Sequence, residues 1–571
     1  MSNLERLQEA KSLRDIARLL RVRPKELAYL IHELPDNRKY TRFEIPKKSG
    51  GVRAITAPTH RLKKIQRRLS TILSDSHEEI ELAHPRGSLS HGFRRHHSIV
   101  SNAISHRNRR YVLNLDLENF FPSINFGRVR GFFIKNKSFA LHEDAATVIA
   151  QIACFQNKLP QGSPCSPIIS EFIAHLLDVR LVDIAKRNGC TYSRYVDDIT
   201  FSTNQKNFPT EIARPVSGSQ ADWVIGKAVA SKIEITGFLI NSDKTRMQYR
   251  QNRQTVTGLV VNEKVNVRTE YYRKARSMCH SVFRSGVYFV DRVDVEKGKD
   301  GGEQKNLTRN LNPLLGIMSH IHYVRRHSVN DEKKTEEKQA PSFIKLYRKL
   351  LYYRYFVDFE APLVLCEGKT DKIYLDLAIK RLGEAYPNLC MKTQKGIRSK
   401  LSYFRYGSEA GRLLGIRGGG GDLKTFVARY ESYSQQYKNS PQKNPVIIII
   451  DNDSGSKDMF KYLNAEYSMS ISLKSEDDYY HICRNLYVVK IPSDGKGTSK
   501  CIEDLFDPKV FSELVNGNKY NPKKEHQSDG EYGKAKFAEE VIQKNINGID
   551  FKNFVPLLDR VSRVIEAHQE V

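Results

Sequence analysis

Tyr195-Val-Asp-Asp198-Ile-Thr-Phe201 decides the fold, because it sets two adjacent acids inside a β-forming, mostly apolar run. Well upstream, Tyr111-Val-Leu-Asn-Leu-Asp116 ends a similar run on another acid. A carboxylate among apolar strand residues is costly unless it is paired or holds a cation. Nucleotidyl transfer gives a reason for such an arrangement. Two Mg²⁺ ions roughly 3.5–4 Å apart clamp the attacking 3′-oxygen and the leaving pyrophosphate in line, and Mg²⁺ takes hard oxygen ligands. Asp116 from one strand and Asp197 with Asp198 from a hairpin turn supply them if the two strands lie side by side. By itself, an acidic pair in a hairpin turn is also an ordinary structural feature.

The rest of the chain bounds this reading. A single core stops growing at about 250–300 residues, so 571 residues predict two or three domains. Hydrophobic residues at 39% and aromatics at 10% exclude a disordered chain. The longest apolar run, Val446 to Ile450, is far short of the ~20 residues of a membrane span. MSNLERLQEAK carries no secretory or transit pattern, so a cytoplasmic protein with no membrane partner is expected. The eight cysteines form no CxxC pair and are read as buried thiols rather than zinc ligands or disulfides. The net charge of +28 is concentrated in residues 1–355, with 61 Lys and Arg against 35 Asp and Glu; beyond them the balance is 32 against 30. The N-terminal part is therefore expected to grip a polyanion, which means nucleic acid.

Apolar positions at helical spacing from 4 to 33, broken at Arg23-Pro24, predict two short helices. They read equally as a small basic DNA-binding pair or as a packing element of the next domain. Residues 43–58 predict a hairpin turning at Lys48-Ser49-Gly50-Gly51, followed by a helix from about Thr59 to Ser74. The charged stretches 291–304 and 328–341 are read as exposed loop or linker, the second as a domain boundary.

Agreement among separate segments then points to one family. LDLENFF at 115–121, Leu159-Pro-Gln-Gly-Ser-Pro-Cys-Ser-Pro167 and YVDD at 195–198 closely resemble, in the required order, the motifs of reverse transcriptases. The resemblance implies an α+β right-hand polymerase fold of fingers, palm and thumb. It implies an RNA-directed DNA polymerase using deoxynucleoside triphosphates, with two Mg²⁺ on Asp116, Asp197 and Asp198. It further implies that Gln161 and Gly162 line the nucleotide pocket and that Phe121 is the steric gate against a ribose 2′-hydroxyl. Arg53 and Lys63 would hold the incoming triphosphate, and Lys244, in Gly237-Phe-Leu-Ile-Asn-Ser-Asp-Lys-Thr245, would approach the leaving pyrophosphate.

Asn102-Ala-Ile-Ser-His106 and Val256-Thr-Gly258 resemble the NAxxH and VTG signatures of retron reverse transcriptases, and a basic thumb follows at Arg268, Arg273, Lys274 and Arg276. That resemblance implies a cognate structured noncoding RNA, with Asn102, His106, Val256, Thr257, Gly258, Arg273, Lys274 and Arg276 as its contacts. Synthesis would start from a guanosine 2′-hydroxyl and give branched RNA-linked single-stranded DNA (msDNA). NAxxH reads also as an ordinary helical turn with a capping Asn. The alternative is a group II intron maturase or a diversity-generating reverse transcriptase. The near-neutral tail, without a metal-spaced Cys/His set, fits an intron protein poorly.

Beyond the linker, Ala361-Pro-Leu-Val-Leu-Cys-Glu367-Gly-Lys-Thr-Asp371 is an apolar strand ending in an acid and leading into a helix over 373–382. Val446-Ile-Ile-Ile-Ile-Asp451-Asn-Asp453 repeats the theme. Continuous β-branched runs suit buried parallel strands, and acids at their C-terminal edge stand where open α/β sheets bind ligands. The pair resembles the TOPRIM domain, and Glu503 in Ile502-Glu-Asp-Leu505 resembles an acidic motif of the OLD nucleases. This implies one or two Mg²⁺ on Glu367, Asp371, Asp451, Asp453 and Glu503, a nuclease acting on DNA or RNA, and a role in antiviral defence; the alternative is a non-catalytic binding module that helps process or hold the DNA product. Gly418 to Gly421 is read as a turn or as a flexible loop near that site. The expected domains are an N-terminal helical element (1–34), fingers and palm (35–260), thumb (261–327), linker (328–358) and an α/β TOPRIM-like domain (359–571). Self-association is left open.

Overall fold

The computed structural model describes residues 1–47, 50–83, 89–216, 222–291, 305–327, 340–394, 396–437, 442–493, 498–522 and 530–570. Lys48 and Ser49 of the expected hairpin turn lie outside the described residues, as do 292–304 and 328–339 of the expected loops. The described chain divides into two compact units. One holds residues 1–272 and 323–327, the other 273–291, 305–322 and 340–570. Residues 261–327, expected as a thumb, are thus shared between them.

The first unit is built on an antiparallel sheet around the strand Tyr111–Glu118. On one side of it lie Asp198–Thr203 and then Thr191–Tyr195; on the other, Arg246–Tyr249 pairs with its first half and Leu239–Ile240 with its last two residues. The apolar runs seen in sequence lie inside: Val112, Leu113, Leu115 and Leu117 are buried, as are Ile199 and Phe201 opposite them. Helices cover this sheet. The longest, His60–Ala83, buries Leu62, Ile65, Leu69 and Leu73 at helical spacing and extends well past the expected Ser74. The hairpin expected to belong to the fingers pairs Tyr40–Pro46 with Val52–Pro58.

The N-terminal residues form three helical segments rather than the expected two. Pro24 opens the third instead of only breaking a helix, because a proline at N1 lacks only an N–H that has no partner there. Leu7, Ile16, Ala17, Leu20, Leu27 and Leu30 join the core of this unit, so the segment is a packing element.

One side chain fixes the hairpin that carries the acidic pair. Arg194 is fully buried and uses all five of its N–H groups. Nε and one Nη2 hydrogen donate to Asp178 (2.7 and 2.9 Å), the other Nη2 and one Nη1 hydrogen to Glu171 (3.0 and 2.8 Å), and the last to the Val196 carbonyl (2.9 Å). Glu171 and Asp178 come from the buried side of the helix Ser166–Arg187. Tyr192 donates to Asp178 and Ser90 to Glu171, and Arg94 adds a second positive charge nearby.

The second unit holds a five-stranded sheet in the order Ser402–Tyr403, Leu363–Cys366, Val446–Ile450, Leu486–Lys490, Tyr480–Cys483. The first four are parallel and the last is an antiparallel edge. All of Val446–Ile450 is buried, as expected for a strand covered on both faces. Residues 340–358, expected as the end of a linker, instead hold the helix Ser342–Tyr352 and a following π-turn, with Phe343, Leu350, Leu351 and Phe356 buried. All eight cysteines are free, and Cys154, Cys483 and Cys501 are only partly buried, a correction to the expectation that every thiol is inside.

Replacing Arg194 by Met leaves Glu171 and Asp178 buried without their cation. Such a loss costs about 3–5 kcal/mol, so urea unfolding of Arg194→Met should give an unfolding free energy lower by that amount, with an unchanged denaturant slope and a correspondingly lower midpoint.

Candidate active sites

The first site forms where two strands bring their acids into register. Asp116 pairs directly with Asp198 across the sheet, and Asp197 sits in the two-residue turn between Tyr195 and Asp198. Leu117 donates its N–H to the Asp197 carbonyl at 3.0 Å, which ties the turn to the neighbouring strand. Val196 takes a left-handed φ of +62°, a costly conformation for a β-branched residue. Two neighbours impose it. Arg194 holds its carbonyl, and Gly92 lies so close that a Cβ there would be 2.7 Å from the Val196 amide nitrogen.

Burial and like charge shape the electrostatics. Burial first, then the Asp197 and Asp116 carboxylates, push Asp198 up to about 7. Burial and Asp116 also hold Asp197 above the usual carboxylate range, while Lys244 and Arg53 pull the other way. Lys244 Nζ stands 2.9 Å from both oxygens of Asp116, and Asn241 donates to the same carboxylate at 3.3 Å. Lys244, expected at a leaving pyrophosphate, is here the counterion of an acid.

The other expected nucleotide-pocket residues come from three directions. The Gln161 carbonyl accepts from Thr56 N–H at 2.9 Å, and Gly162, at φ +130°, packs so tightly that a Cβ would meet the Thr56 carbonyl at 2.9 Å. This clamps the segment to the strand Val52–Pro58, which also carries Arg53. Lys63 lies in the first turn of the helix His60–Ala83. Phe121 is half-buried, edge-on to Phe120 with ring centroids 5.4 Å apart.

The expected RNA contacts divide into two kinds. Asn102 and His106 are fully buried, which corrects their assignment to RNA. His106 accepts from or donates to Ser202 and Ser193 at 2.7 Å each, and Ser193 donates to Asn102 at 2.6 Å. Burial lowers His106 to about 3, so it is neutral. These residues tie the helix Ile99–Ser105 to the strands behind the acidic turn. Val256 is buried as well, whereas Thr257 and Gly258, both with positive φ, make the turn of a small hairpin. Thr257 donates to the Ile99 carbonyl at 3.0 Å, so the two signature segments are neighbours. Arg268, Arg273, Lys274 and Arg276 are exposed.

The second unit gathers five acids. Glu367 follows the strand Leu363–Cys366 and Asp451 follows Val446–Ile450, on adjacent parallel strands. The Asp451 N–H points at Glu367 Oε2 (3.4 Å), and Asp451 Oδ1 accepts from Ile502 N–H (3.2 Å), bringing Glu503 into the group. Burial, then Asp371, Glu367 and Glu503, push Asp451 up to about 8; burial chiefly raises Asp371 to about 6 and lifts Glu367. Asp453 accepts from Gly455 and Ser456 N–H groups. Lys534 lies 2.9 Å from Glu503. The glycine run is beside this site: Gly419 donates to the Glu367 carbonyl at 3.0 Å, and a Cβ on Gly420 would lie 3.1 Å from its Oε1.

Among the described residues no three His, Cys, Asp or Glu side chains stand in metal-ligating geometry. The donor chemistry nevertheless fits Mg²⁺ at both places. Each cluster is all carboxylate oxygen, partly buried and mutually repelling, which a divalent cation relieves. Arg194, Glu171, Asp178, Gly92, Asn241 and Lys534 went unread in sequence. Only Arg194 carried a signal, as a charge at an inward position of the strand ending in YVDD.

A family model described as reverse transcriptase (RNA-dependent DNA polymerase) matches residues 45–261. Retron Mx65 reverse transcriptase of Myxococcus xanthus is 34% identical over 276 residues, covering 45% of this chain and 59% of that one. Retron Ec86 reverse transcriptase of Escherichia coli is 32% identical over 275 residues, covering 48% of this chain and 78% of that one. The chain spans under two thirds of the Mx65 protein's length. Among solved structures, a telomerase from Candida albicans overlaps at TM-score 0.32 and 10% identity, over 55% of this chain and 64% of its own, a likeness too slight to rest anything on. Sheet, acids and matched segment together define a domain of the reverse transcriptase class. The chain belongs to the retron reverse transcriptase family. No helix among the described residues is long and apolar enough to cross a membrane.

Asp198 ionises near 3.8 when unfolded and near 7 when folded. Between those values the folded chain binds the extra proton, so this group's contribution to stability falls as pH rises from 4 to 7. Asp198→Asn should therefore melt a few degrees above the parent at pH 8, with the gap closing near pH 4 in calorimetry.

Proposed function

We propose that this protein is an RNA-directed DNA polymerase that copies a cognate structured noncoding RNA into branched, RNA-linked single-stranded DNA, and that its second unit is a TOPRIM-like nuclease acting in antiviral defence. The observation that carries the polymerase reading is the register of Asp116 against Asp198 with Asp197 in the adjoining turn. Asp116, Asp197 and Asp198 would hold Mg²⁺, which when bound activates the attacking hydroxyl and steadies the leaving pyrophosphate. Arg53 and Lys63 receive the triphosphate, Gln161 and Gly162 shape the pocket against the fingers strand, and Phe121 excludes a ribose 2′-hydroxyl. Lys244, resting on Asp116, is the cation at hand for the pyrophosphate. The exposed Arg273, Lys274 and Arg276 suit an RNA read by shape and phosphate. Two relatives carry the name retron reverse transcriptase, which supports the choice of a noncoding RNA template over an intron.

The nuclease reading rests on Glu367 and Asp451 at the C-terminal edges of adjacent parallel strands, with Asp371, Asp453 and Glu503 around them. These carboxylates would hold one or two Mg²⁺, and their target is DNA or RNA.

Changing both Asp197 and Asp198 to Ala should lower DNA synthesis on a primed RNA template at least about 1,000-fold, since each ~1.4 kcal/mol of lost transition-state stabilisation is tenfold. Complementary DNA made at the parental rate by the purified double variant overturns the polymerase reading. Glu367→Ala should remove Mg²⁺-dependent cleavage of nucleic acid and protection against phage; toxicity and protection that persist in it overturn the nuclease reading.

A further inference from the structure

On the first unit, the N-terminal helical segments pack against the helix His60–Ala83 so as to leave an open groove of about 280 Å³. Arg61, Lys64 and Arg68 line it from one stripe of the long helix, at the i, i+3, i+7 spacing that keeps residues on one face. Arg21 and Arg23 line it from the turn between the helices Leu13–Leu19 and Pro24–Ala28. Glu26 is the one acid among the described residues that line it, and Lys63, expected at the triphosphate, is not among them.

Two of these arginines are built into the fold. Arg68 Nη1 donates to the Leu20 and Arg21 carbonyls at 2.8 Å each, so it closes the end of the helix Leu13–Leu19. Arg21 follows that helix's cap with a left-handed φ of +51°; its N–H returns to the Arg18 carbonyl and the Val22 N–H to the Ala17 carbonyl, each at 3.0 Å. Glycine is the usual residue at this position, because a side chain strains a left-handed backbone. An arginine stands there instead and lines the groove. Arg21, Arg23, Arg61 and Lys64 are exposed, and none of them shares an ion pair or a side-chain hydrogen bond with another described residue. Cations gathered in this way repel one another, and an anion relieves them.

Their spread selects the anion. From Arg61 to Arg68 is about 10 Å along the helix axis at 1.5 Å per residue, so a single phosphate leaves part of the row unanswered and a chain of phosphates answers all of it. No Phe, Tyr or Trp is among the described lining residues, so unpaired bases find no ring to stack on. We propose that this groove holds the sugar–phosphate backbone of a base-paired nucleic-acid stem. Phosphate contacts of this kind position a duplex without reading its bases. An RNA stem and a DNA stem present the same phosphates. The N-terminal segment thus has a second role beside packing, and that role depends on neither acid cluster.

The test is fluorescence anisotropy on the full chain in EDTA, which silences metal-dependent synthesis and cleavage. The probes are a labelled RNA hairpin and a DNA hairpin of the same sequence, with an unpaired RNA strand of equal length as a control, each titrated at several salt concentrations. Arg23→Gln with Arg61→Gln and Lys64→Gln should weaken hairpin binding at least about tenfold at 0.15 M salt. The fall of log affinity with log salt should become shallower by about 2–3, since each lost phosphate contact removes about 0.9 from that slope. Lys461→Gln with Lys509→Gln and Lys519→Gln, three exposed lysines of the second unit, should leave affinity and slope at the parental values. Melting curves show whether each variant folds, and Lys64→Gln alone, which should take about one from the slope, replaces a triple variant that does not. A loss confined to the RNA hairpin assigns an RNA stem, a loss confined to the DNA hairpin a DNA stem, and a loss with both the shared backbone. The proposal is overturned if the folded groove variant binds both hairpins as the parent does, if the second-unit variant loses as much, or if the unpaired strand loses as much as the hairpins.

Discussion

One buried guanidinium holds the polymerase-like site in shape. Arg194 satisfies two carboxylates and one carbonyl at once, and any other placement of its side chain would leave buried donors and acceptors without partners. The Val196 carbonyl is therefore fixed, and with it a left-handed φ that a valine would not choose. That residue sets the turn from which Asp197 projects. Local propensity opposes this geometry; the surrounding network imposes it.

The two units meet the same electrostatic difficulty on different scaffolds. In the first, an antiparallel pairing brings Asp116 opposite Asp198; in the second, parallel strands end side by side at Glu367 and Asp451. In each place burial and mutual repulsion move carboxylates toward protonation, and a lysine offsets part of the charge, Lys244 on Asp116 and Lys534 on Glu503. Groups arranged at such a cost are more often functional than structural.

The signature segments carry a different lesson. The family resemblance implies RNA contacts at Asn102 and His106, yet they sit inside the protein, bridging a helix to Ser193 and Ser202 on the strands behind the acidic turn. The VTG turn docks on the same helix through Thr257. A motif can mark a family by the way its residues pack, and that is how these two segments act here. Arg273, Lys274 and Arg276, by contrast, are exposed.

The acids, the order of the motifs and the strand runs that carry them were legible from sequence, because an apolar β-forming run and its interruption by a charge are local properties. Val446 to Ile450 announced a buried strand for the same reason. What the sequence left hidden was every partnership across distance. Arg194 finds acids 16 and 23 residues upstream, and Asn102 meets Ser193 from 91 residues away. Such neighbours are set by how helices and strands pack, and a side chain's own surroundings in sequence hold no record of which distant groups the packing will bring to it.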